Sequence, residues 1–67
     1  MRYGWVLYAY VGKNTGMFVA DSGRMSRFIA KARLYPTAAI AKSDKRFDET
    51  PRRVRLSRSG RAKEIVR

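Results

Sequence analysis

The chain reads as an α+β fold: a small, mostly antiparallel sheet packed on one helix, in ββ(β)αβ order with a basic C-terminal hairpin or arm. Three observations predict it. An aromatic and β-branched run opens the chain at Tyr3 to Val11, a Pro36-Thr37 pair precedes an alanine-bearing stretch, and Arg53 to Ser57 alternates polar with aliphatic residues. At 67 residues the chain has room for one domain with a small core. Residues 1–56 form that domain, and residues 57–67 are its basic hairpin strand or flexible arm.

In the first run, alternation sets Tyr3, Trp5, Leu7, Ala9 and Val11 on one face, expected to be the inner one, and Val6, Tyr8 and Tyr10 on the other. Gly12 to Gly16 supplies turn chemistry, because glycine and asparagine tolerate positive φ, and Met17 to Ala20 then returns as the second strand. Asp21-Ser22-Gly23 makes the next turn. Arg24 to Tyr35 fits two periods. As a helix it buries Met25, Phe28, Ile29 and Ala32 behind a basic face; as a strand it alternates Phe28, Ala30, Ala32 and Leu34 against Arg27, Ile29, Lys31 and Arg33. Pro36 disfavours helical geometry at Tyr35, so the segment ends there. Thr37 caps a helix over Ala38 to about Arg46, with Ile40 and Ala41 inward. A loop holds Asp48, Glu49, Thr50 and Pro51, after which Val54 and Leu56 point inward from an edge strand whose Arg53 and Arg55 face water.

Folding does not ask for the charge. Sixteen Lys and Arg oppose five Asp and Glu, a net +11, and such an excess repels itself unless a polyanion absorbs it. Eleven of the cations are Arg, whose planar donor fork holds phosphate bidentately and stacks on bases. Arg52, Arg53, Arg55, Arg58, Arg61, Lys63 and Arg67 crowd the C-terminus and can track a phosphate backbone. A second patch holds Arg24, Arg27, Lys31 and Arg33, and Tyr8 with Tyr10 is spaced for bases stacking on a sheet. Each signal also has a plainer reading: solvated charge for the arginines, cross-strand packing for the tyrosines, and burial for Trp5.

Other chemistry has little to stand on. Neither Cys nor His occurs, which removes disulfides, thiolate catalysis and the usual general base and metal ligand. The five acids lie among cations, and their expected work is pairing with them. No phosphate-cradling glycine spacing exists around Gly12, Gly16 and Gly23. A non-enzyme without cofactor or metal is expected. No run approaches a membrane span or a secretory leader, so a soluble cytoplasmic protein that engages no membrane is expected.

The glycine-turn hairpin, the segment Phe28 to Thr37, the helix at Ala38 to Ala41 and the closing Val54-Arg55-Leu56 strand together resemble small phage, prophage and plasmid proteins with a short sheet on one helix. The resemblance covers residues 3–56 and implies an accessory factor of a mobile element. The expected function is nucleic-acid binding, DNA or RNA, by coating, blocking or modulating. The alternative is an inhibitor or adaptor, anti-CRISPR-like, docked on the acidic surface of a host protein. A homodimer through a sheet edge fits either.

Overall fold

The computed structural model describes residues 2–66. Five strands form one antiparallel sheet: β1 (Tyr3–Ala9), β2 (Phe18–Val19), β3 (Met25–Ser26), β4 (Glu49–Leu56) and β5 (Ala62–Ile65), in spatial order β3-β2-β1-β4-β5. One helix, α1 (Ala38–Asp44), and a single 3-10 turn at Ile29–Lys31 lie between β3 and β4. Among the described residues no helix is long and apolar enough to cross a membrane.

The first hairpin forms where turn chemistry places it. Gly12 and Gly16 adopt φ of +86° and +88°, a region that other residues enter only with strain, and the Ala9 N–H donates to the Met17 carbonyl at 2.9 Å. Tyr8 then faces Phe18 across the ladder, their ring centroids 5.4 Å apart.

The assignment of inner and outer faces needs correction, because both faces of β1 are covered. Val6, with Phe18, Ala32, Val54 and Ala62, builds the larger cluster, against which Tyr8, Ile29, Leu34, Leu56 and Ile65 pack. Leu7, on the opposite face, builds a second cluster with Tyr35 and Ala41, to which Trp5 and Val19 add. The sheet curls so that β5 touches the 3-10 turn and closes the Val6 face, while α1 covers part of the Leu7 face. Gly4 is buried within this closure, where a Cβ would meet Leu34 Cδ2 at 3.4 Å and Leu56 Cδ2 at 3.5 Å, both ordinary packing distances.

Residues 24–35 are neither one helix nor one strand. The Phe28 N–H donates to Ser26 Oγ at 3.1 Å, ending β3 in a local turn. After the 3-10 turn the chain runs extended, with Arg33 N–H donating to the Val19 carbonyl and Trp5 and Tyr35 exchanging both backbone bonds. Leu34 and Tyr35 consequently enter opposite clusters, as neighbours on an extended chain do. Phe28, expected in the core under either period, is 67% exposed.

The helix starts where its cap predicts, with the Ile40 N–H donating to Thr37 Oγ1 at 3.2 Å. Ala41 faces inward; Ile40 does not, being 47% exposed. The two side chains lie about 100° apart round the helix, so turning Ala41 to the sheet leaves Ile40 at its side.

The stretch read as a loop at Glu49 to Pro51 is the start of β4, and β4 is interior, flanked by β1 and β5. Pro51 is accommodated because of strand parity. Arg53 offers its carbonyl to the Val66 N–H, so alternate residues of β4, Pro51 among them, turn their backbone away from β1, and β5 has ended before reaching Pro51. The basic C-terminus folds back as β5, with a register shift between Arg55 and Leu56.

Candidate nucleic-acid interface

The part of the Leu7 face beyond α1 carries the most unusual surface. Parity and register put Tyr3 and Trp5 of β1 on the same side as Arg53 and Arg55 of β4, with Trp5 directly opposite Arg53 and Tyr3 opposite Arg55. The Arg53 guanidinium carbon sits 4.4 Å from the Tyr3 ring centroid, a stacked cation–π pair. Tyr3 is 44% exposed, and Trp5, expected in the core, is half-buried beside it. On the other flank Tyr35 pairs with Trp5, and the Arg33 guanidinium lies 5.7 Å from the Tyr35 ring centroid. Arginine and aromatic side chains therefore alternate across three neighbouring segments of chain. Glu64 of β5 borders the patch and forms an ion pair with Arg55.

Below this patch the Tyr35 hydroxyl donates to Asp44 Oδ2 of α1. Burial, this bond and the Asp44 charge push the Tyr35 hydroxyl up to about 12. The ring is therefore held neutral and fixed in orientation under Arg33. The acids do less ion pairing than expected. Asp44 serves Tyr35, and the buried Glu49 accepts from the Arg46 backbone N–H at 3.0 Å, tying down the turn before β4. Asp48 Oδ1 is buried without a hydrogen-bond partner among the described residues. No group of acids positioned to hold a metal ion occurs among those residues.

The cations singled out in sequence are distributed over several surfaces. Arg53 and Arg55 meet on the patch just described. Arg52, one residue away, faces the other side, where it lines two grooves of about 370 and 360 Å³, one with Tyr8, Ile65 and Val66 and the other with Tyr10, Lys45, Glu49 and Thr50. The Tyr8 and Tyr10 pair is thus near a cation, but the Tyr8 ring is committed to Phe18 and the Tyr10 hydroxyl donates to the Phe47 carbonyl at 3.5 Å. Arg24 and Arg27 flank β3, at the far edge of the sheet from β4. Lys31 and Arg61, assigned to separate patches by sequence, line one groove. Arg58 lies in the β4–β5 turn and Lys63 on β5, both exposed; Arg67 is outside the described residues.

Tyr3 is the residue that sequence reasoning missed. The available signal was its position in the Tyr3, Trp5 alternation, matched by Arg53 and Arg55; what the sequence lacks is the register that sets the two alternations face to face.

No protein-family model, curated protein or solved structure matches the chain.

Proposed function

We propose that this is a small, basic, non-enzymatic nucleic-acid-binding protein that holds a single strand across the open half of the sheet. The observation that carries the reading is Arg53 stacked on the exposed Tyr3 ring beside Trp5, outside the cover of α1. Sequence-tolerant single-strand binding needs π-faces for bases and cations for the backbone between them. Trp5 and Tyr3 supply the first, with Arg33, Arg53 and Arg55 in reach of phosphates. A polyanion would also relieve the net charge of +11, for which the fold has no use of its own. The role that fits is coating, blocking or modulating in the cytoplasm as an accessory factor of a phage or other mobile element, with the Arg-rich C-terminal hairpin as the basic element.

The protein has one tryptophan, which makes Trp5 its own reporter. Titration with a single-stranded oligonucleotide should quench Trp5 fluorescence. With about three phosphates neutralised, affinity should fall roughly fifteenfold to twentyfold between about 50 and about 200 mM salt. An unquenched Trp5 and a flat salt response would sink this reading; retention of a nuclease-resistant host protein from lysate would then favour the inhibitor alternative.

A further inference from the structure

Resting on that reading, we infer that the same strand has a second subsite, in the groove between the β2–β3 turn, the 3-10 turn and the β4–β5 turn. There a phosphate would sit between Lys31 and Arg61 and a base would stack on Phe28.

The groove encloses about 500 Å³ and draws Ser22, Lys31 and Arg61 from three separate segments of chain, with Asp21 as the opposing carboxylate. Two cations against one acid leave it attractive to a single phosphate group. Lys31 also holds its Nζ 5.6 Å from the Phe28 ring centroid. Phe28 needs an explanation, since it is 67% exposed although a strand and a cluster of apolar side chains lie within a few residues of it. An exposed ring bearing a cation repeats the arrangement of Tyr3 with Arg53.

The two subsites are joined by a basic path. Arg2 precedes Tyr3, its guanidinium donates to the Arg58 carbonyl at 3.4 Å, and the Arg58 turn runs on to Arg61. A strand leaving the Tyr3 end of the sheet thus passes Arg2 and Arg58 before it meets the Lys31 and Arg61 pair. Base stacking at both ends, with phosphate contacts between, fixes its course without reading its sequence.

The test uses oligothymidylates of about four and about twelve nucleotides, spanning the site sizes of small single-strand binders. A Lys31→Gln, Arg61→Gln double variant should leave Trp5 quenching by the short probe unchanged. With the long probe it should reduce the slope of log affinity against log salt by about 0.7, the value for one lost phosphate contact on a single strand. Phe28→Ala should weaken the long probe alone, by roughly fivefold to a hundredfold. A Lys13→Gln, Lys45→Gln variant removes equal charge at the far edge of the molecule, the Ala9 end of β1, and should leave the slope as in wild type. If the groove variant keeps the wild-type slope, or the far-edge variant lowers it equally, while the short probe still quenches Trp5, the second subsite is discarded and the sheet face stands. If neither probe binds the wild-type protein, both readings fall together.

Discussion

Tyr35 is where the sheet, the helix and the candidate interface meet. Its backbone pairs with Trp5, its ring packs with Leu7 and Ala41, and its hydroxyl donates to Asp44. Removing the hydroxyl with Tyr35→Phe should cost about 1 kcal/mol, since Asp44 at the surface regains water when its partner is gone. The raised pKa gives the same residue a pH signature. The ordinary tyrosine value near 10 applies to the unfolded chain and about 12 to the folded one, so the folded state holds the proton more tightly. The Tyr35 contribution is complete below pH 10 and is lost as pH rises through about 12. Thermal unfolding between about pH 9 and pH 12 should show the wild-type midpoint falling more steeply than that of Tyr35→Phe. Parallel curves would mean that the hydroxyl is neither buried nor held by Asp44 in solution.

At the scale of elements, what was legible in the sequence is what is determined locally. The Gly12 and Gly16 turn and the Thr37 cap depend on a handful of consecutive residues, and both stand where the residues place them. Elements fixed by distant pairing were not legible. Pro51 looks like a strand breaker until the end of β5 is known, and β4 looks like an edge until β5 returns beside it. Phe28 and Ile40 have apolar spacing, but which spaced residue goes inward depends on how its element is turned against the sheet. The candidate site suffers from the same limit: the arginines were visible, while the Tyr3 and Trp5 face opposite them required the register of β1 with β4. One consequence concerns α1, a helix of seven residues, too short to persist without its cap and its sheet contact. Thr37→Ala should cost about 1 kcal/mol. Ile40→Ala, at a more conspicuous hydrophobe, should stay within about 0.5 kcal/mol. Denaturant midpoints of the two variants settle the order, and a larger loss at Ile40 would mean that α1 is rotated from the arrangement described.

For the whole molecule, the surplus charge sets stability and binding in opposition. Sixteen cations repel one another over a radius of gyration of 10.7 Å, comparable with the screening length of about 10 Å at moderate salt. Among the acids, Asp44 and Glu49 are engaged with a hydroxyl and a backbone N–H, and Glu64 pairs with Arg55. That exposed pair is worth at most about 1 kcal/mol, so the attraction that salt would screen is small beside the repulsion. Raising salt should therefore stabilise the fold while weakening its hold on a nucleic acid. A gain of about 1 kcal/mol would raise the melting midpoint of a domain this size by about 4–8 °C. Changing Arg53, Arg55, Arg58 and Arg61 together to Gln should leave the fold intact, since relieved repulsion offsets the lost Glu64 and Tyr3 contacts, flatten the dependence of the midpoint on salt, and abolish most oligonucleotide binding. Val54→Ser places a hydroxyl in the core and should do the reverse, with binding lost only because the domain melts. A wild-type midpoint that falls with added salt would show that attraction outweighs repulsion on this surface, and the charge would then need no external partner to explain it.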